Sequence, residues 1–270
     1  MGGLACIIVR TGVMRVLIDT HVHLNNPKLH GRLDEVIENA RKVGVEAMIV
    51  VGYDRATNHK ALSIAHEHSC IYATVGIHPT DAQKTTDADL KALEKLLDDP
   101  RVVAVGECGL DYYWDKEHKD DQKRVFEHQI RLAKARDLPV VVHMRDATED
   151  TYETLKKHAP LKGVMHCYSG SAEMAMRFVD LGLYISLGGP VTFLNAKTPK
   201  EVAKLVPLEK LLIETDAPYL SPHPFRGKTN EPARVKLVAE SLADLKSLPL
   251  DTVAQATTKN ARALFGLKET

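Results

Sequence analysis

Residues 102–143, VVAVGECGLDYYWDKEHKDDQKRVFEHQIRLAKARDLPVVVH, begin and end in short apolar runs. The runs VVAVGE and LPVVVH are rich in Val and lack polar alternation, which is typical of parallel strands buried on both faces. Between them, Phe126, Ile130 and Ala133 recur at i, i+4 and i+7 and predict an amphipathic helix. Two buried strands joined by a crossover helix form one β/α unit, so this stretch predicts a fold built around a parallel sheet.

The same alternation of apolar runs and helical segments occurs eight times from Arg15 onward. Strands are predicted at 16–21, 45–51, 71–77, 102–107, 138–143, 163–167, 183–187 and 210–214. Further apolar helical stripes are formed by Leu33, Val36, Ile37 and Ala40, and by Val235, Val238, Leu242 and Leu245. Eight such units in about 250 residues fit a (β/α)8 TIM barrel better than an open doubly wound sheet. We therefore predict an α/β protein with one barrel domain.

The predicted barrel domain covers residues 14–270. Residues 1–13 precede a second methionine, Met14, and are interpreted as an N-terminal extension in front of an alternative start. No stretch rich in Pro, Gly or Ser divides the chain. The Pro-rich segment 218–232 follows the eighth predicted strand, where a long loop of an active site is expected.

The composition excludes several classes of protein. Hydrophobic residues make up 44% and charged residues 27% of the chain, values typical of a folded globular domain rather than a disordered one. The 36 Lys and Arg balance the 36 Asp and Glu, so the net charge is zero with neutral histidines. Nucleic-acid binders usually carry a basic excess, because phosphate neutralisation supplies much of their affinity. Any nucleic-acid function must therefore depend on a local feature of this chain.

The chain shows no targeting or membrane segment. The longest apolar run near the N-terminus, residues 4–9, is too short to cross a bilayer and lacks the flanking features of a cleaved signal. The four cysteines are widely scattered, which fits neither a disulfide framework nor a zinc knuckle. We predict a cytoplasmic protein with no membrane partner.

Side chains suited to metal binding fall at the predicted C-terminal ends of five strands, where barrels of this type build their active sites. The candidates are His21, His23, Glu107, His143, His166 and Asp216. In the motif HVH the two histidines stand at i and i+2 of a strand and so point to the same face. Each candidate taken singly could be a structural residue or a loop cap. Their coincidence at one level of the barrel predicts a metal site.

The composition of this set favours two ions. Four imidazoles and two carboxylates suit Zn²⁺ or Mn²⁺, whereas Mg²⁺ would depend more on the carboxylates and water. Six ligands exceed the usual need of one catalytic zinc ion, but they could serve two ions about 3.5 to 4 Å apart. A shared carboxylate is then required, and Glu107 lies on the middle strand of the set.

The chain resembles the TatD family of metal-dependent deoxyribonucleases in the amidohydrolase superfamily. The resemblance extends from Val16 to Phe265 through seven ordered motifs: LIDTHVHL, VGIHPTDA, VGECGLDYYW, QIRLAKARDLPVVVHMRDA, HCYSGS, LLIETDAPYLSPHPFRGKTNEP and TTKNARALF. It implies a barrel in which the same six residues bind metal, with Glu107 shared between two ions. Related barrels that use a carboxylated lysine as the bridge are disfavoured, since no lysine adjoins Glu107. Residues 1–13 have no counterpart in the family pattern.

The remaining site predictions concern catalysis and substrate contact. We expect Asp216 to act as the general base and Glu107 to bridge the ions. The residues predicted to bind substrate are His78, Arg145, Arg226, Lys228 and Asn230. An ion pair is an equal alternative for Arg145, and solvated loop positions are the alternative for Arg226 and Lys228. The aromatic run 112–114 could stack on bases, but core or lid packing explains it as well.

The resemblance implies a hydrolase that cleaves the phosphodiester bonds of DNA, and we expect it to act as an exonuclease on single-stranded ends. The site residues predict that it uses a metal-activated water and two divalent ions (Mg²⁺, Mn²⁺ or Zn²⁺). A two-metal hydrolase of another ester or amide, such as a D-aminoacyl-tRNA deacylase, is the alternative among enzymes. A barrel scaffold without turnover is the alternative of another class. No nucleotide cofactor is predicted, since Gly188 and Gly189 lack the Lys and Ser or Thr of a phosphate-binding loop.

Overall fold

The computed structural model describes residues 16–268, and its eight parallel strands lie side by side in chain order. The strands are β1 (Leu17–Val22), β2 (Val45–Val51), β3 (Ile71–Val75), β4 (Val102–Asp111), β5 (Val140–Arg145), β6 (Gly163–Met165), β7 (Tyr184–Leu187) and β8 (Leu211–Ile213). The sheet closes through a parallel bridge between Val22 and Ala217, where the His23 N–H donates to the Ala217 carbonyl at 2.8 Å. The predicted (β/α)8 barrel is confirmed.

Helices surround the strands and bury most residues of the predicted apolar stripes. They are α1 (Pro27–His30), α2 (Leu33–Lys42), α3 (Arg55–Glu67), α4 (Asp87–Leu96), α5 (Lys119–Ala135), α6 (Thr148–Lys157), α7 (Ala172–Asp180), α8 (Thr198–Leu205), α9 (Val235–Lys246) and α10 (Leu250–Phe265). Phe126, Ile130 and Ala133 of α5 are fully buried, as their spacing predicts. The larger of two core clusters therefore lies between the helices and the outer face of the strands.

The end of one strand differs from the prediction in a way that matters for the site. β4 continues to Asp111 instead of ending at Glu107, and its register with β5 shifts between Val105 and Cys108. Gly109, at φ +143°, follows the shift, and a Cβ there would collide with the His143 carbonyl. Glycine thus lets β4 and β5 approach closely beside Glu107.

Some predictions concern residues that lie outside the described range. The predicted extension 1–13, the alternative start at Met14 and Cys6 all fall there. Within residues 16–268, no helix is long and apolar enough to cross a membrane, and Cys70, Cys108 and Cys167 are free thiols.

Candidate metal centre

Glu107 lies at the centre of the predicted ligands, and its two carboxylate oxygens face different histidines. Oε1 lies 2.9 Å from His143 Nδ1 and 3.0 Å from His166 Nε2. Oε2 lies 3.5 Å from His21 Nε2 and 4.0 Å from His23 Nε2. The carboxylate therefore stands between two pairs of imidazoles, the position required of a bridging ligand.

Asp216 joins the pair from β1. Its Oδ1 lies 3.2 Å from His23 Nε2 and 3.8 Å from His21 Nε2. All six predicted ligands thus meet at one end of the barrel. We refer to His21, His23 and Asp216 as the β1 side of the site, and to His143 and His166 as the β5–β6 side.

Hydrogen bonds join the segment after β8 to β1 and bring Asp216 to the β1 side. The buried Asp19 carboxylate accepts hydrogen bonds from the backbone N–H and the hydroxyl of Thr215. The Asp216 N–H donates to the His21 carbonyl at 2.9 Å. Asp216 itself adopts a left-handed conformation with φ +54°, which Asp tolerates better than most residues. Asp216 therefore reaches the site from three residues beyond the end of β8.

Two further buried carboxylates, outside the set of predicted site residues, hold the imidazoles of the β5–β6 side. Asp111 Oδ2 lies 3.0 Å from His143 Nε2, and Glu214 Oε1 lies 3.3 Å from His166 Nδ1. Each contacts the ring nitrogen that faces away from Glu107. A carboxylate at this position fixes the imidazole tautomer and raises the basicity of the nitrogen that binds metal. Their signal in the sequence is an acidic residue just after the motif GECGL and one just before the motif TDAPYL.

The donor set fits divalent ions. Both ring nitrogens of His21, and Nδ1 of His23, are buried without a hydrogen-bond partner among residues 16–268. Buried polar atoms are normally paired, so an imidazole left without a partner at a cluster of carboxylates suits a metal ligand. The imidazoles favour Zn²⁺ or Mn²⁺, and the carboxylates also admit Mg²⁺.

The electrostatics of Glu107 and His21 agree with this fit. Burial alone would raise the pKa of Glu107, but the charge of His166, hydrogen bonds from His143 and His166 and the nearby His21 ring hold that pKa well below its usual value. Burial and repulsion from His166 lower the pKa of His21. An ionised carboxylate beside a neutral imidazole is the protonation state in which both groups bind a cation.

His78 is the predicted substrate residue that the structure brings closest to the centre. Its Nε2 lies 3.6 Å from Glu107 Oε1, and its Nδ1 lies 2.7 Å from the Thr80 hydroxyl. Burial lowers the pKa of His78 to about 4, so the ring is neutral near pH 7. A neutral His78 can donate one hydrogen bond or accept one next to the β5–β6 side.

The three predicted cations are exposed at or beyond the C-terminal ends of strands. Arg145 ends β5, and its guanidinium carbon lies 3.9 Å from the centroid of the Tyr113 ring. No carboxylate within residues 16–268 lies within ion-pair distance of Arg145, so the alternative of an ion pair is not observed. Arg226 and Lys228 are exposed in the loop after β8, with the Arg226 guanidinium 4.3 Å from the Phe193 ring centroid. Their contact with substrate stays a prediction.

Asn230 has a different position from the one expected of a substrate contact. Its side chain is buried, and its Nδ2 donates to the carbonyls of Thr215 at 2.9 Å and Tyr219 at 2.8 Å. Its Oδ1 accepts from the Glu231 N–H at 2.9 Å. Because the whole amide is used within the loop after β8, Asn230 supports that loop instead of facing substrate in this structure.

Comparison with known proteins identifies related chains over nearly the whole length. Residues 18–266 match the family model described as TatD related DNase. The uncharacterized metal-dependent hydrolase YabD of Bacillus subtilis is 51% identical over 252 residues, which cover 93% of this chain and 99% of YabD. The uncharacterized metal-dependent hydrolase YcfH of Escherichia coli K12 is 39% identical over 254 residues, 92% of this chain and 95% of YcfH.

A solved structure shows the same similarity. The crystal structure of YjjV, a TatD homolog from Escherichia coli K12, superposes with a TM-score of 0.89 at 36% sequence identity and covers 94% of this chain and 99% of YjjV. The family match over residues 18–266 spans every predicted ligand, and the structural match covers a similar share of the chain.

Proposed function

Because the chain belongs to the TatD related DNase family of metal-dependent hydrolases, we propose that it hydrolyses phosphodiester bonds of DNA, acting at single-stranded ends. The placement of Glu107 between two pairs of imidazoles carries this proposal. Two ions that share one carboxylate can bracket the attacking and leaving oxygens of a displaced phosphodiester. Zn²⁺, Mn²⁺ and Mg²⁺ all suit the donor set.

Glu107 would be shared by both ions, with His21, His23 and Asp216 completing one position and His143 and His166 the other. Bound ions would supply Lewis-acid activation of the phosphodiester and lower the pKa of an attacking water. Asp111 and Glu214 orient the imidazoles of the β5–β6 side. His78, neutral beside Glu107, is placed to hydrogen-bond a substrate oxygen.

Asp216 is proposed as the general base. Its side chain is 13% exposed against 6% for Glu107, so a water entering from the open end of the barrel can reach it. Burial would raise the pKa of Asp216, but hydrogen bonding and charge from His23 hold that pKa below its usual value. The carboxylate is therefore ionised at neutral pH and able to accept a proton.

The charge distribution supports a short or single-stranded substrate. The net charge of the chain is zero, so long-range attraction to duplex DNA is weak. Arg145, Arg226 and Lys228 place exposed positive charge at or beyond the C-terminal ends of strands. Such local cations suit the capture of an end rather than the wrapping of a long duplex.

The function is tested with single-stranded oligodeoxynucleotides labelled at the 5′ or the 3′ end, incubated with metal-replete protein. We expect stepwise shortening from one end, and a loss of at least about 1,000-fold in rate for Glu107→Ala, since both ion positions lose their shared ligand. Glu38→Ala, the same change on the exposed face of α2, is the matched control and should keep full activity.

Three results would contradict the proposal. Activity that persists in Glu107→Ala would show contamination by another nuclease. Inert DNA together with hydrolysis of D-aminoacyl-tRNA would favour the alternative ester substrate. Fewer than one tightly bound or activating divalent ion per chain, with no turnover of either substrate, would favour a scaffold.

A further inference from the structure

Two large aromatic side chains stand exposed beside the site and have no part in the proposed hydrolysis. Tyr113 and Trp114 follow β4 and are 51% and 67% exposed. Their rings meet edge to face, with centroids 4.9 Å apart and planes at 87°. Aromatic residues of this size are usually much more buried, so an exposed pair at the open end of the barrel suggests contact with a ligand. We call this pair the aromatic corner.

Hydrogen bonds with two buried side chains fix the turn that carries the aromatic corner. Asp111 Oδ1 accepts hydrogen bonds from the N–H groups of Tyr113 at 3.0 Å and Trp114 at 2.9 Å. The buried Gln122 amide accepts from the Asp111 N–H and donates to the carbonyls of Asp111 and Asp115. The rings are therefore presented on a preorganised turn, which reduces the entropy cost of binding.

The same carboxylate connects the aromatic corner to the metal centre. While Oδ1 of Asp111 holds the turn, its Oδ2 lies 3.0 Å from His143 Nε2, and His143 Nδ1 lies 2.9 Å from Glu107 Oε1. A group bound at the corner is therefore positioned with respect to His143 through a single side chain.

The positively charged Arg145 lies next to the aromatic corner. Arg145 pairs with Asp111 in the β4–β5 register, and its guanidinium carbon lies 3.9 Å from the Tyr113 centroid and 5.6 Å from that of Trp114. Within the described part of the chain no carboxylate forms an ion pair with Arg145, so its N–H groups can contact a phosphate. Exposed rings next to such a cation match a nucleotide, which presents a flat base and an anionic phosphate together.

We propose that Tyr113, Trp114 and Arg145 form a stacking site for one unpaired nucleobase of the substrate strand, with Arg145 on the adjoining phosphate. The proposal rests on the proposed function and specifies its substrate class. In duplex DNA both faces of an internal base are covered by its neighbours, so the site selects unpaired nucleotides. Stacking is tolerant of sequence because every base has a π-face, and we expect little preference among the four bases.

The test uses Trp114 itself, because it is the sole tryptophan of the chain. Metal-replete Asp216→Asn protein, which retains every imidazole and lacks the proposed base, is titrated with a single-stranded oligothymidylate while the indole fluorescence is recorded. Stacking on the indole should quench the emission. An abasic oligonucleotide with the same number of phosphates should bind roughly 5- to 150-fold more weakly and leave the emission nearly unchanged.

Variants give a second measurement that does not depend on fluorescence. By anisotropy of a labelled oligothymidylate, Trp114→Ala should weaken binding by a similar factor, and Trp114→Phe should restore part of it. Leu205→Ala, a truncation of another exposed apolar side chain at the end of α8, should have no effect.

Steady-state kinetics give a third measurement. In an otherwise wild-type protein, Trp114→Ala should raise KM and leave kcat within about twofold of wild type, since the stacking site serves ground-state and transition-state binding alike.

Equal affinity and equal quenching by the abasic strand, or unchanged affinity in Trp114→Ala, would overturn the stacking site. These results are separable from the hydrolysis assay. Quenching without cleavage by the wild-type protein would refute the proposed function and keep the stacking site. Cleavage by the wild-type protein without quenching would support the proposed function and refute the stacking site.

Discussion

The imidazoles on the two sides of Glu107 are fixed in different ways. On the β5–β6 side, the outer ring nitrogens of His143 and His166 meet the carboxylates of Asp111 and Glu214. On the β1 side, the outer nitrogens of His21 and His23 have no hydrogen-bond partner among residues 16–268. The two halves of the site therefore depend on different parts of the protein.

On the β1 side, ring packing takes the place of hydrogen bonds to the outer ring nitrogens. His21 stacks on His166 with centroids 3.8 Å apart and planes at 11°. His23 lies edge to face with Tyr53 and Tyr219, at 5.5 and 5.8 Å between centroids. Packing fixes where a ring lies, whereas a carboxylate also selects its tautomer and increases its basicity. We therefore expect the two sides to respond differently to substitutions beyond the ligands themselves.

Among changes confined to one side of Glu107, the largest effect is expected from Asp216→Asn, which removes the only carboxylate that belongs to the β1 side alone. The kcat on single-stranded DNA should fall by about 100- to 10,000-fold, the usual contribution of a positioned general base. The amide keeps the size of the carboxylate, so the thermal unfolding midpoint of the variant should stay close to that of wild type. Activity near the wild-type level would rule out Asp216 as the base.

A smaller effect is expected when the support of the β5–β6 side is removed. Asp111→Asn and Glu214→Gln should each weaken divalent-ion affinity by about 10- to 100-fold, measured by competition with a chelating dye. The Asn at 111 can still accept from the backbone of Tyr113 and Trp114, so the turn after β4 should be retained.

Asp115→Asn provides the matched control for this pair. Asp115 contacts His118 Nδ1 at 3.0 Å, an Asp–His contact of the same kind outside the metal centre. Its removal should leave ion affinity unchanged. If Asp111→Asn behaves like Asp115→Asn, the two sides of Glu107 do not differ in the way inferred here.

The ligands could be predicted from the sequence because parallel strands of a barrel end at one level. His21, His143 and His166 each lie at or next to a short run of Val, Ile or Met that the pattern identifies as buried. The HVH spacing then orients the pair on β1. Local pattern and topology are sufficient for such positions.

The supporting residues depend on tertiary geometry that local pattern does not contain. Asp111 reaches His143 only because β4 continues past Glu107 after a register shift, whereas the apolar run predicts an end at Glu107. Asn230 looks like a polar loop residue in sequence, but its partners are backbone carbonyls brought together by the fold of the loop. Carbonyl positions of this kind cannot be inferred from residue types.

The smallest effect is expected from Tyr219→Phe, which tests whether ring packing alone supports the β1 side. The change keeps the ring beside His23 and removes the hydroxyl that accepts a hydrogen bond from Asn26 Nδ2 at 3.0 Å. That bond is exposed, so its loss should cost about 1 kcal/mol of stability or less. Ion affinity should change by less than about twofold, against the tenfold or greater loss in Asp111→Asn.

Tyr219→Ala removes the ring as well, and a larger loss of ion affinity there than in Tyr219→Phe would show that packing positions His23. Equal losses in the two variants would assign the effect to the hydroxyl, and the contrast between a packed side and a hydrogen-bonded side would then fail.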